Sequence, residues 1–243
     1  MNKARKVVHS SMGFKWIFPV FYFVTLSLGI VACKKDEAPS AQEMSLHTDY
    51  FPIQEGAFVI YDATEMTHDD AVGQHDTVHY QLKTLVADQY IDNQGRKANE
   101  FHRLKSTDGG TTFFLTDVYT VIVDGQRAEL VEENQRIIKL FLPPKLDFDW
   151  DINVYNSRGE KRAYYEDIHS PKTINGLNFD STVNAVEQKL YSLVDYRYQY
   201  EIYAKGVGLV KKYYKDLTIQ DFDTLDAQKG NEIYYTVLTH GFE

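Results

Sequence analysis

The sequence predicts an all-β fold built on an antiparallel sheet. From Tyr50 onward, short runs of alternating apolar and polar residues are separated by turn residues, which indicates strands rather than helices. Residues 195–202 show the alternation most clearly, and strands with one apolar and one polar face favour antiparallel sheet. In this segment we expect the core-facing residues to be Tyr196, Tyr198, Tyr200 and Ile202, and the water-facing residues to be Asp195, Arg197, Gln199 and Glu201.

Turn dipeptides support the antiparallel arrangement. Asp108-Gly109, Asp124-Gly125 and Asn175-Gly176 each lie between extended runs, as tight hairpins with positive φ require. Residues 206–208 (Gly-Val-Gly) separate two further strand-like runs in the same way. Three hairpins and a fourth glycine-rich connection are therefore predicted.

Other segments extend the strand prediction. Alternation recurs over residues 78–83, and strand-forming residues dominate 111–115, 118–123, 137–142 and 209–214. Residues 181–191 are also expected to be extended, because Thr182, Val183 and Val186 favour strands. We expect about ten strands in a single curved antiparallel sheet, either a half-barrel or an open sandwich, in one domain over residues 47–243.

The N-terminus has the pattern of an export signal. Basic residues at positions 3, 5 and 6 precede an apolar run over residues 16–32, which contains no charge. That run is 17 residues long and is interrupted by Pro19, so a permanent transmembrane helix is the weaker interpretation. We predict that residues 1–32 form a signal helix that is removed on export.

The end of this segment resembles the lipobox of bacterial lipoproteins. Ile30, Val31 and Ala32 precede Cys33, which gives branched residues, a small residue and then the acceptor cysteine, with isoleucine in place of the commoner leucine. The resemblance implies cleavage between Ala32 and Cys33, diacylglycerol attachment to the Cys33 sulfur, and acylation of the new N-terminus. Two or more acyl chains give stable membrane anchoring, at about 0.8 kcal/mol per buried methylene.

Residues 33–46 are expected to form the lipidated terminus and a flexible linker. Residues 34–37 (Lys-Lys-Asp-Glu) resemble the charged stretch that directs lipoproteins of Bacteroidetes-type bacteria to the outer face of the outer membrane. The alternative is a solvated linker, since the following residues are small and polar. The sequence leaves open whether the anchored domain faces the periplasm or the cell surface.

Charge restricts the partners. The chain has 26 basic and 35 acidic residues, and four of the basic residues but none of the acidic ones lie in residues 1–32, so the mature part has a formal charge of −13. Such a charge excludes nucleic acid as a plausible partner and opposes a flat contact with anionic lipid. The predicted membrane partner is therefore the bilayer reached through acylated Cys33, whereas a protein or small-molecule partner stays unknown.

Further segments resemble uncharacterised β-rich lipoproteins of Bacteroidetes. They comprise residues 50–56, 149–151, 177–182 and 203–211, and the similarity would cover most of the mature chain without implying an activity. The aromatic-rich, extended pattern is also similar to that of carrier-type lipoproteins whose curved sheet cradles an acyl chain, a likeness at the level of the fold alone.

One histidine-rich segment contains candidate metal ligands. His68, Asp69, Asp70, His75, Asp76 and His79 form the only such cluster in the sequence. In an extended strand, His75 and His79 would lie about 13 Å apart, too far for one ion, and the spacing does not match an EF-hand. We therefore predict a hydrated hairpin, with no metal and no cofactor.

No catalytic motif was found. The sequence lacks a Gly-x-Ser-x-Gly turn, a His-Glu-x-x-His helix and a phosphate-binding glycine loop. Asp147, Asp149 and Asp151 alternate with Phe148 and Trp150, which a glycosidase could use as paired carboxylates but which any amphipathic strand also shows. We therefore assign no catalytic residues.

Three functions remain as hypotheses. The first is a non-enzymatic binding or structural module of the cell envelope, anchored to the outer membrane. The second is a carrier or sensor of a hydrophobic ligand, which an apolar pocket of roughly 300 Å³ or more would favour over a solid core. The third is a surface glycan hydrolase, which requires two convergent carboxylates about 5 to 9.5 Å apart in a cleft.

Overall fold

The computed structural model of the chain describes residues 45–243. The predicted signal peptide, Cys33 and nearly all of the predicted linker lie outside these residues. The described part contains twelve strands and two short 3-10 helices, at Thr48–Tyr50 and Asp70–Val72. The strands are β1 Ala57–Asp69, β2 Gln74–Ile91, β3 Lys97–Ser106, β4 Phe114–Asp124, β5 Arg127–Glu132, β6 Gln135–Phe141, β7 Asp149–Asp151, β8 Arg162–Ile174, β9 Leu177–Tyr191, β10 Asp195–Ala204, β11 Gly208–Gln220 and β12 Asp223–Phe242.

All twelve strands belong to one sheet. Its order is β6-β5-β4-β3-β2-β1-β12-β11-β10-β9-β8-β7, and each neighbouring pair is antiparallel. The predicted all-β class and antiparallel pairing are confirmed. The chain thus forms two meanders, which meet where β1 pairs with β12.

The number of strands exceeds the predicted ten for a local reason. β5 and β6 are joined by Glu133 and Asn134, which adopt φ of 49° and 62° without a glycine, so the dipeptide gives no hairpin signal of the usual kind. Residues 111–115 and 118–123 were expected as separate extended runs, but residues 114–124 form the single strand β4.

Most glycine-containing turns lie where they were predicted. Asn175 and Gly176 join β8 to β9 with φ of 50° and 76°, the two positive values that a tight hairpin needs. Gly125 lies in the two-residue connection between β4 and β5. The tight hairpin predicted at Asp108-Gly109 is wrong, because these residues lie in a longer loop over residues 107–113 between β3 and β4. Residues 181–191 are extended within β9, also as predicted.

Hydrogen bonds join the two outer edges of the sheet into a seam, so the sheet is nearly closed and barrel-like. The Ile138 backbone N–H donates to the Ile152 carbonyl (3.0 Å), and the Trp150 indole donates to the Ile138 carbonyl (3.1 Å). The Tyr165 hydroxyl accepts from the Phe141 N–H (3.1 Å) and donates to the Phe141 carbonyl (2.8 Å). The predicted half-barrel or open sandwich therefore underestimates the closure.

One end of the sheet is packed by the residues that precede β1. Tyr50 is fully buried, and its hydroxyl lies 2.7 Å from His169 Nδ1 and 2.7 Å from Ser181 Oγ. Phe51 packs against the cluster that contains Trp150. A second buried cluster lies among β1, β2, β8–β12 and includes Tyr61, which is 1 % exposed. These cores lie within residues 45–243, so this unit contains the packing it needs to fold.

The structure corrects the predicted orientation of residues 195–202. Gln199 and Glu201 are 3 % and 5 % exposed, whereas Tyr198 and Tyr200 are only partly buried. The reason is that the closed sheet supplies lysine partners for polar residues on its inner face, as described below. Ile202 is buried as expected, and a bulge between Ile202 and Tyr203 shifts the register with β11.

Among residues 45–243, no helix has the length and apolar character required to cross a membrane.

The seam gives a stability prediction. Replacing Tyr165 with phenylalanine removes the hydroxyl that satisfies both backbone groups of Phe141, so we expect the free energy of unfolding to fall by about 1–3 kcal/mol. Urea denaturation would measure the change. Tyr191→Phe is the matched control, because the Tyr191 hydroxyl also donates to a backbone carbonyl, that of Phe222, but at an exposed position where water can replace it. We expect its loss to stay within about 0.5 kcal/mol. Equal effects of the two variants would contradict a role of Tyr165 in closing the sheet.

Candidate functional site

The nearly closed sheet surrounds a cavity of about 480 Å³. Residues two apart on one strand point to the same face, and pairs with this spacing from nine strands line the cavity. Most of the wall is apolar. The pairs are Val59 and Tyr61, Leu82 and Thr84, Phe101 and Arg103, Tyr119 and Val121, Leu130 and Glu132, Ile137 and Lys139, Glu201 and Tyr203, Lys212 and Tyr214, and Ile233 and Tyr235.

The cavity reaches the surface near the loop that precedes β8. Arg158 belongs to the lining and is exposed, and Lys161 beside it is partly exposed. The N-terminal segment contributes to the wall through Phe51 and Pro52. The interior is therefore accessible to a ligand in solution.

One side of the cavity carries a buried ionic cluster. Lys139 contacts the carboxylates of Glu187 at 2.7 Å and Glu201 at 2.8 Å. Lys161 also contacts Glu187 at 2.9 Å, and Lys212 contacts Glu201 at 3.5 Å. The side chains of Lys139, Glu187 and Glu201 are only 12 %, 16 % and 7 % exposed. Each carboxylate therefore contacts two lysines in a site with little access to bulk water.

The cluster keeps its members charged. Burial alone would raise the pKa of Glu187 and Glu201, but Lys139 and the second lysine of each carboxylate outweigh it and lower both pKa values. Burial alone would lower the pKa of Lys139, whereas Glu187 and Glu201 raise it above its ordinary value. Each charged member of this cluster thus has an opposite charge in contact, although its three lysines exceed its two glutamates by one charge.

The polar network continues through a tyrosine and a glutamine. The Tyr203 hydroxyl donates to Glu201 at 2.5 Å, and burial together with Glu201 raises the pKa of Tyr203 well above its usual value. The Lys161 ammonium donates to the Gln199 carbonyl oxygen at 2.5 Å. These contacts explain why Gln199 and Glu201 face inward rather than toward water.

Of the basic side chains that line the cavity, Arg103 and Arg158 have no carboxylate partner among the described residues, and of these two only Arg103 is shielded from solvent, since Arg158 is exposed. The Arg103 guanidinium donates to the hydroxyls of Tyr119 at 3.0 Å and Tyr235 at 2.9 Å, and it lies beside both rings. Among the described residues, no carboxylate oxygen comes within 4.0 Å of its nitrogens. Burial raises the pKa of Tyr119 to about 12, so this tyrosine is neutral near pH 7 and does not balance the charge of Arg103.

The histidine-rich segment forms a hairpin end instead of joining the cavity. Cross-strand pairing brings His68 Nδ1 to 3.1 Å from His75 Nδ1, and His75 Nε2 lies 3.1 Å from Asp70. His79 lies beside Thr64. Within residues 45–243, no group of three or more histidine, cysteine, aspartate or glutamate side chains is arranged to hold a metal ion.

The alternating aspartates serve local structure. Asp149 is paired with the exposed Arg162, and an Asp151 oxygen accepts from the N–H groups of Asn153 and Lys161 at 3.0 Å each. Trp150 between them is buried. Neither carboxylate lines the cavity.

Glu187 and Glu201 form a second carboxylate pair, inside the cavity, which the sequence did not suggest. A glycosidase requires a carboxyl group with a raised pKa as its general acid. Here Lys139 contacts both carboxylates and lowers both pKa values, the opposite direction.

The residues of the cavity carried no distinct sequence signal. Arg103 and Lys139 lie in alternating strand segments, and alternation distinguishes two faces without saying which one is enclosed. The predicted lipidation site Cys33 and the cleavage position after Ala32 lie outside the described residues.

Comparisons with known proteins identify only distant structural similarity. The sequence matches no protein-family model and no curated protein sequence. A candidate lipoprotein of Parabacteroides distasonis matches with a TM-score of 0.42 and 13% identity, over 79% of this chain and 98% of that protein. A candidate exported protein with a YmcC-like fold from Bacteroides fragilis matches with a TM-score of 0.42 and 12% identity, again over 79% and 98% of the two chains.

The ionic cluster leads to a second stability prediction. Lys139→Met removes the cation shared by Glu187 and Glu201 and leaves each carboxylate with one lysine, Lys161 or Lys212, so we expect the free energy of unfolding to fall by about 1.5–3 kcal/mol. Chemical denaturation followed by circular dichroism would measure it.

Lys189→Met is the matched control, because Lys189 pairs with Glu166 on the surface and exposed ion pairs contribute little. If both lysine variants unfold at the wild-type denaturant concentration, the cluster does not stabilise the fold.

Proposed function

We propose that this chain is a bacterial envelope lipoprotein whose β-domain binds a small hydrophobic ligand inside its sheet, without catalysing a reaction. The observation that carries the proposal is the cavity of about 480 Å³ with a largely apolar wall. Ligand pockets in proteins commonly have volumes of about 300–1,000 Å³ and combine apolar walls with a few polar groups. A carrier or sensor role therefore gains support over a purely structural one.

The dimensions and access of the cavity support binding. A module that only packs against another protein has no need of an internal space, and empty apolar space costs stability through lost contacts. Here the apolar wall runs from Phe101 through Val121 to Leu130, while exposed Arg158 marks a route from the surface. A ligand that fills the space would restore the missing contacts.

The proposed location rests on the N-terminal sequence. Ile30, Val31, Ala32 and Cys33 resemble a lipobox and follow an uncharged apolar run with a basic start. We propose that the mature protein begins at acylated Cys33 and is held to the outer membrane, on its periplasmic or its surface side. The formal charge of −13 supports attachment through lipid rather than through a basic surface.

Filling the cavity tests the binding role. We expect Leu130→Trp and Ile233→Trp each to weaken binding of the neutral fluorescent probe N-phenyl-1-naphthylamine by about tenfold or more, because the larger ring occupies ligand space. Fluorescence titration would use the mature polypeptide with Cys33→Ser, produced without residues 1–32.

Val118→Trp is the matched control, since Val118 lies on the same strand as Val121 but is half exposed. Its affinity for the probe should stay near the wild-type value. A wild-type protein that binds no probe, or cavity variants that bind it as well as Val118→Trp does, would contradict the proposal.

The anchor has its own test. Cys33→Ser removes the sulfur that accepts diacylglycerol, so we expect metabolic labelling with a fatty-acid analogue to disappear and the leader to be retained. Labelling and intact-mass analysis of the exported protein would measure both effects. Normal acylation of the serine variant would rule out Cys33 as the lipidation site.

A further inference from the structure

We infer that the ligand of this cavity is a single-chain amphiphile with a negatively charged head group, which Arg103 binds through its guanidinium. The inference rests on the proposed function, because it assigns the chemistry of a ligand in the same cavity.

The unbalanced charge of Arg103 is the first argument. Buried or partly buried charges in proteins are ordinarily paired, because an isolated ion in a low-dielectric interior is costly. Lys139, Lys161 and Lys212 obey this rule through Glu187 and Glu201. The direct partners of Arg103 are two tyrosine hydroxyls. The lining carboxylate of Glu132 lies beside Tyr119 and is not in contact with Arg103, so an anion from outside the described chain would supply the directly bound counter-charge.

The geometry of Arg103 is the second argument. The hydroxyls of Tyr119 and Tyr235 each take one N–H from a different terminal nitrogen and fix the guanidinium plane. A guanidinium has five N–H donors, and a fixed fork suits two oxygens of a carboxylate or phosphate. The N–H groups that do not donate to the two tyrosines remain available to a carboxylate or phosphate.

The wall beside Arg103 is the third argument. Phe101 precedes Arg103 by two residues and faces the same interior. Val121 pairs with Leu130 on the neighbouring strands, and both line the cavity. A head group at Arg103 would therefore be followed by an apolar surface for a hydrocarbon chain.

The charge balance of the cavity agrees with an anionic ligand. Five basic side chains but only three acidic ones line it, although the chain as a whole has an excess of acids. The excess of basic side chains disfavours a cationic ligand, and a neutral ligand would leave Arg103 without an anion in direct contact.

Competition with N-phenyl-1-naphthylamine tests the head group. The competitors are dodecanoate, dodecyl phosphate, dodecanol and dodecylammonium, each below its micelle concentration, so that chain length is constant while the head group changes. With wild-type protein we expect one or both anions to displace the probe at lower concentration than dodecanol, and dodecylammonium to be the weakest. The two anions distinguish a carboxylate ligand from a phosphate ligand.

Variants of Arg103 test whether this residue causes the preference for an anionic head group. We expect Arg103→Met to weaken binding of the preferred anion about 10- to 100-fold, the range for a lost charged hydrogen bond, and to change dodecanol binding by no more than about twofold. Arg103→Lys keeps the charge without the fork, so its loss should be intermediate. Arg197→Met is the control, because Arg197 pairs with Asp216 and does not line the cavity.

The outcomes separate the two proposals. Equal loss of anion and alcohol binding in Arg103→Met would show that Arg103 only supports the wall of the cavity. Unchanged anion binding in this variant would place the head group elsewhere. Either result overturns the inference. Wild-type protein that binds the probe but prefers dodecanol also overturns it and leaves the proposed function standing. Failure of the wild type to bind the probe or any competitor would remove the proposed function itself.

Discussion

The hydrogen bonds that join the outer strands of the sheet determine what its interior can contain. A flat twelve-stranded sheet would expose two unpaired edges and wet both of its faces. Here Ile138, Trp150 and Tyr165 tie β6 to the segment around β7 and β8. One row of side chains on most of the strands therefore faces an enclosed space, where the partners open to a polar group are other side chains of the same interior.

This constraint separates the cations of the interior into two kinds. Lys139 is balanced by Glu187 and Glu201, so its part of the wall is saturated and rigid. Arg103 is oriented by two tyrosine hydroxyls and has no carboxylate in direct contact. The contacts of Lys139 are complete without a ligand, whereas the guanidinium of Arg103 has further N–H groups that a ligand could accept from.

The local sequence was sufficient to predict the class of the fold and the turns that contain a glycine at a position of positive φ. Asn175-Gly176 could be assigned because glycine after asparagine favours two positive φ values, whereas the equivalent turn at Glu133-Asn134 has no such mark. The direction of Gln199 and Glu201 could not be assigned, because it depends on lysines that closure brings from other strands. Alternation reports that two faces differ, and only the three-dimensional arrangement decides which one is enclosed.

The acidic surface and the basic cavity act over different distances. Exposed carboxylates are screened by salt within a Debye length of about 8 Å at physiological ionic strength, so they weakly slow the approach of an anion. Arg103 lies beside aromatic rings inside the sheet, where water and salt screen it much less and a direct contact is correspondingly stronger. The same chain can thus repel anionic membranes at its surface and still hold one anionic molecule inside. A tether at its N-terminus would keep such a domain near a bilayer without requiring its surface to bind lipid.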